Sequence, residues 1–131
     1  MFDPEKQAKE GLKWRLQIGE HRRDGVLVLA LAGRIGHRAA ADLGSRLERA
    51  IAAGDRRLVL DFSGVDYLSS PGALALDAAS TRLQPLAGGL VLAGVTEPVR
   101  LVLELTGALG RLVIEPTTDR AAARLAVEFP P

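Results

Sequence analysis

Three apolar runs constrain the fold of this chain most. Val26-Leu27-Val28-Leu29-Ala30-Leu31, Leu58-Val59-Leu60 and Leu90-Val91-Leu92-Ala93 contain no polar residue. A strand that alternates apolar and polar residues can leave one face in water, whereas a strand without alternation has to be covered on both. Between these runs the hydrophobic period lengthens. Ala40, Leu43, Leu47 and Ile51 recur at spacings of three and four between Ala39 and Ala53, so they share one helical face. Leu76, Ala79 and Leu83 do the same within Pro71 to Leu86. Strands alternating with helices imply a mostly parallel sheet with crossover connections.

The remaining segments complete an α/β pattern. Trp14-Arg15-Leu16-Gln17-Ile18 alternates and predicts a half-buried strand, and Arg23-Asp24-Gly25 is a turn signal. This strand and Val26 to Leu31 are expected to pair as an antiparallel hairpin, which makes the sheet mixed. Gly33 to Arg38 reads as a loop. The next strand spans Arg57 to Phe62, and Ser63 and Asp66 fit a tight turn through Gly64. Glu97-Pro98 opens a third helix with proline at its first position, carrying Val99, Val102, Leu103 and Leu105 to a close at Thr106-Gly107. Leu112 to Ile114 predicts a last short strand, and Thr118 an N-cap for a helix through Val127. Gly33, Gly54 and Gly72 are expected at element boundaries. The expected architecture is a mixed, mostly parallel sheet of about four to five strands with about four helices packed on it. Residues 1–11 are polar and read as a flexible arm, and residues 12–129 as a single domain.

Composition excludes several functions. Seventeen basic and 16 acidic residues leave a net charge of +1, which gives no general pull toward nucleic acid or an anionic membrane. The basic pairs Arg22-Arg23 and Arg56-Arg57 are flanked by acidic residues or turn signals. Cysteine is absent, so disulfides and thiolate metal sites are excluded, and no metal-ligand spacing links His21 and His37. No cofactor is implied. No apolar run is long enough to cross a bilayer and no leader opens the chain, so a cytoplasmic protein without membrane insertion is expected.

The segment Asp61-Phe62-Ser63-Gly64-Val65-Asp66-Tyr67-Leu68-Ser69-Ser70-Pro71-Gly72 follows a buried run and ends on two hydroxyls, a proline and a glycine. Structurally, Ser70 reads as a helix N-cap with Pro71 at the first helical position. Catalytically, Ser70 would be a nucleophile on a strand-to-helix turn, but the spacing of a nucleophile elbow is missing and both histidines lie upstream. No enzyme activity is therefore expected. A third reading makes Ser70 a phosphoacceptor. A phosphate there would place about −1.5 to −2 charges on a surface that a partner could otherwise cover.

Leu58 to Gly72 resembles the signature of STAS domains, the fold of bacterial anti-sigma-factor antagonists. Val28-Leu29-Ala30-Leu31-Ala32-Gly33-Arg34-Ile35 resembles the family's second strand. Glu97 to Gly107 resembles its third helix, and Thr118 to Leu125 the start of its last one. The resemblance covers about residues 14–127. It implies a regulatory binding module, monomeric or weakly dimeric, whose partner is an anti-sigma factor that is also a serine kinase of the histidine-kinase-like ATPase type. Ser70 would be the residue phosphorylated. The contact surface would comprise Gly36, His37, Arg38, Ser69, Ser70, Pro71, Gly72 and Leu74. Two positions depart from the pattern: Pro71 follows the phosphoacceptor in place of a small residue, and Gly36 stands where many antagonists carry aspartate. An alternative implied by the same family is an accessory subunit of a lipid or anion transport system, with Ser69-Ser70 as a polar cap only.

Overall fold

A computed structural model describes residues 16–129. Its elements run β1 (Gln17–Arg23), β2 (Val26–Ile35), α1 (His37–Ala52), β3 (Arg57–Leu68), α2 (Ser70–Leu83), β4 (Gly89–Ala93), α3 (Glu97–Leu105), β5 (Val113–Glu115) and α4 (Thr118–Glu128). The five strands form one sheet in chain order. β1 pairs antiparallel with β2, and every later pairing is parallel. This is the mixed α/β sheet expected from the apolar runs. The arm of residues 1–11 lies outside the described residues.

The sheet explains why those runs lack polar residues. Leu27, Leu29, Leu58, Leu60, Leu90 and Leu92 point into a core shared with α1, α2 and α3. Their alternate neighbours Val26, Val28, Val59 and Val91 point the other way, against Ala121, Ala122 and Leu125 of α4. Successive side chains of a strand face opposite sides, so three helices on one face and one on the other leave no position for a polar residue. On α1, Ala40, Leu43, Leu47 and Ile51 are all buried, as their spacing predicts.

Several boundaries differ from the sequence reading. The first strand spans Gln17 to Arg23 rather than residues 14–18, and Trp14 and Arg15 lie outside the described residues. The hairpin turn is where it was expected, with Asp24 and Gly25 at φ 52° and 79°. Gly33 to Arg38 is not a loop: β2 runs on to Ile35 and α1 begins at His37. Gly33 is therefore within a strand, at φ 118°, and not at an element boundary.

The tight turn through Gly64 is replaced by continuous strand to Leu68. β3 absorbs extra residues as bulges. Ala30 pairs with Asp61 but Ala32 pairs with Gly64, and Gly33 pairs with Val65 but Arg34 pairs with Tyr67. In the first bulge the Asp61 carboxylate accepts from the Ser63 N–H at 3.0 Å. Gly64 is required there, because a Cβ would lie 2.9 Å from the Leu31 carbonyl oxygen. The bulges delay the end of β3 and carry Tyr67 and Leu68 up to the serine pair.

Arg22, Arg23 and Arg56 of the basic pairs are used within the fold. Arg22 forks onto Asp55 at 2.6 and 3.2 Å, and Arg23 pairs with Asp119. Hydrogen bonding to Asp55 raises the Arg22 pKa above its ordinary value. Arg56 donates to the carbonyls of Ile51 and Asp55 at 2.9 and 3.0 Å and so satisfies the C-terminal end of α1. No helix among the described residues is long and apolar enough to cross a membrane.

Candidate functional site

β2 and β3 end side by side, with Ile35 opposite Leu68. The Ser69 N–H donates to the Ile35 carbonyl at 2.8 Å, which fixes the two strand ends together. α1 starts directly after β2 and α2 directly after β3, so two helix N-termini open on the same edge of the sheet. Gly36 is the N-cap of α1 and offers no side-chain cap.

At α2 the two serines divide the work. Ser69, not Ser70, is the N-cap: its Oγ accepts from the Gly72 N–H at 3.3 Å, and the residue is buried. Ser70 is the first helical residue and Pro71 the second. Proline is tolerated at that second position because its N–H would also have lacked an intrahelical partner. Ser70 is exposed, and its hydroxyl has no hydrogen-bond partner among the described residues.

Gly72 is buried, not surface. A Cβ on it would lie 2.6 Å from Leu68 Cδ1 and 2.9 Å from Ile35 Cγ2, so it lets α2 approach the strand ends. His37 and Arg38 are exposed on the first turn of α1, and Leu74 is 63% exposed on α2. Of the residues expected at a contact surface, His37, Arg38, Ser70 and Leu74 are therefore exposed. Gly36 and Pro71 are half-buried, and Ser69 and Gly72 form the support beneath.

A groove beside Ser70 is lined by His37, Tyr67, Pro71, Val102 and Leu105. Tyr67 reads from the sequence as a packing residue, but it is 41% exposed, and Leu105, carried by the third helix, is 77% exposed. Leu105 was legible: Val99 and Leu103, four apart, define the buried stripe of α3, and a residue two further on points away from it. Tyr67 was not, because its exposure follows from the bulges of β3. The guanidinium of Arg34 lies over the Tyr67 ring, 4.6 Å from its centroid.

Hydrolytic chemistry finds little here. His37 and Ser70 line the same groove, but no hydrogen bond joins them among the described residues. Among those residues no cluster of His, Asp and Glu is arranged to hold a metal ion. The edge offers an exposed hydroxyl, apolar side chains and cationic groups, which suits recognition by another protein.

Comparison with known proteins agrees in fold and in family. The model of the STAS domain matches residues 18–121. The chain belongs to the STAS domain family. A protein of Bordetella bronchiseptica named as a candidate anti-sigma factor antagonist, BtrV, is 32% identical over 107 residues, covering 82% of this chain and 92% of that one. The crystal structure of an anti-sigma factor antagonist from Mycobacterium paratuberculosis superposes with a TM-score of 0.75 at 27% identity, over 84% of this chain and 93% of that one. The phosphorylated form of the Bacillus cell fate determinant SpoIIAA superposes with a TM-score of 0.64 at 20% identity, over 83% and 97% of the two chains, a likeness of fold. The five-stranded STAS sheet places Ser69 and Ser70 at the end of its central strand.

Proposed function

We propose that this STAS protein is an anti-sigma-factor antagonist of the cytoplasm. It binds an anti-sigma factor that doubles as a serine kinase, and phosphorylation of Ser70 switches the binding off. It acts by occupying its partner and catalyses no reaction of its own. A relative at 32% identity that carries the antagonist name favours this reading over an accessory role in transport.

One observation supports the switch above all: Ser69 caps α2 and leaves the Ser70 hydroxyl exposed and uncommitted. A serine that served as the cap would have to give up its hydrogen bond in order to be modified. Ser70 can take a phosphate with the cap intact, and a negative charge near a helix N-terminus is tolerated by the fold. Around it, Tyr67, Leu74 and Leu105 give apolar area for a partner, and a doubly charged group in their midst would be buried without a partner's cation. Pro71 takes one N–H from the segment a kinase would grip, and Gly36 takes away a carboxylate beside it.

The test is a pull-down from the native cell with the purified chain, followed by mass spectrometry. A kinase of the histidine-kinase-like ATPase type is then incubated with ATP and either wild type or Ser70→Ala. Phosphate incorporation into wild type and none into Ser70→Ala supports the reading. Equal incorporation into both overturns Ser70 as the acceptor.

A further inference from the structure

The basic pairs leave one member over. Arg22, Arg23 and Arg56 are engaged by carboxylates or carbonyls of the fold, whereas the side chain of Arg57 makes neither a hydrogen bond nor an ion pair with any group among the described residues. The residue is half-buried all the same. A guanidinium drawn away from water without a counter-charge is costly, and arginine cannot shed its proton to escape that cost. The hairpin turn holds the group in place: a Cβ on Gly25 would lie 2.7 Å from the Arg57 Nη2, so this nitrogen packs against bare backbone.

Arg57 lines a recess of about 330 Å³ with Asp55, Arg56, Leu86 and Phe129, a volume at the lower end of small-molecule sites. We infer that this recess binds a small organic carboxylate, with its charged group on Arg57 and its apolar body along Leu86 and Phe129. The charges around it select that class. Asp55 is the one acidic residue lining the recess among the described residues, and Arg22 forks onto it at 2.6 and 3.2 Å. Asp24, in the hairpin turn, is exposed and does not line the recess. Arg56 is directed to the carbonyls of Ile51 and Asp55. One uncommitted guanidinium remains, which suits a singly charged carboxylate better than a doubly charged phosphate beside Asp55. Its two parallel N–H donors match the two carboxylate oxygens.

Arg57 is the first residue of β3, and Ser70 follows the last, so the recess lies at the opposite end of that strand from the serine edge. A ligand seated there leaves the edge free for a protein partner.

The test follows the backbone amides of the full chain by proton–nitrogen NMR during titration with benzoate. Benzyl alcohol serves as the uncharged match and inorganic phosphate as the ion without an apolar body. Benzoate should give saturable shifts at Gly25, Arg57 and Ala87, and Arg57→Gln should weaken its binding by about tenfold or more, as loss of a charge-assisted pair does. Arg120→Gln, which removes an exposed charge on α4, should leave binding unchanged. Leu86→Ser keeps Arg57 in place and should weaken benzoate without strengthening phosphate, and thermal melting verifies that each variant folds. The absence of saturable shifts, equal benzoate affinity in wild type and Leu86→Ser or a folded Arg57→Gln, or binding of benzyl alcohol or phosphate as tight as that of benzoate overturns the assignment.

Discussion

At the residue scale, two adjacent serines of the same chemistry have opposite surroundings. Ser69 is buried and accepts from Gly72, while Ser70 is exposed. Ser69→Ala should therefore lower stability by about 0.5–2 kcal/mol, the usual loss on removing an N-cap. Ser70→Ala should stay within about 0.5 kcal/mol of wild type, as an exposed substitution does. Urea denaturation of the two variants checks this, and the reverse order would return the cap to Ser70. Gly72→Ala would push a methyl against Leu68 and Ile35 and should cost about 1–3 kcal/mol through overpacking. A thermal melt indistinguishable from wild type would show that α2 shifts without cost.

At the scale of elements, the central strands carry the prediction with the largest energy. Val59 and Val91 are buried between the sheet and α4. Replacing either with Asp buries a carboxylate without a partner and should cost about 3–5 kcal/mol, visible as a much lower denaturation midpoint. An unaltered midpoint would mean that α4 does not cover this face. The strands and helices themselves were legible, because apolar runs and three–four spacings are signals spread over many residues. Helix starts were read one residue late at α2, α3 and α4, and at α2 and α4 two hydroxyl residues adjoin. Ser69, Thr96 and Thr117 are the caps, where Ser70 and Thr118 were expected, and Pro98 stands second in α3 rather than first. Two neighbouring hydroxyls are equivalent in a sequence. Which one caps depends on where the preceding strand releases the chain, and for α2 that is set by the Ser69 N–H bond to Ile35. The bulges of β3 were hidden for a related reason, since an extra residue in one strand is defined only by its partner's register.

At the scale of the whole molecule, the parallel strands direct two helix N-termini, an exposed serine and an apolar groove to one edge of the sheet. The expected contact residues His37, Arg38, Ser70 and Leu74 are exposed at that edge, and Tyr67 and Leu105 extend it. Their meeting required the tertiary structure, because Leu105 comes from a helix on the far side of β4 in chain order. The central claim is that charge at Ser70, rather than loss of its hydroxyl, decides whether the edge can be covered. The direct measurement is the affinity of wild type, Ser70→Ala and Ser70→Asp for the proposed anti-sigma factor kinase, by calorimetry. Ser70→Ala should bind within roughly threefold of wild type, and Ser70→Asp should bind at least about tenfold more weakly, a loss of about 1.4 kcal/mol or more. Equal affinity for wild type and Ser70→Asp would contradict the account and leave this edge as a well-capped helix start.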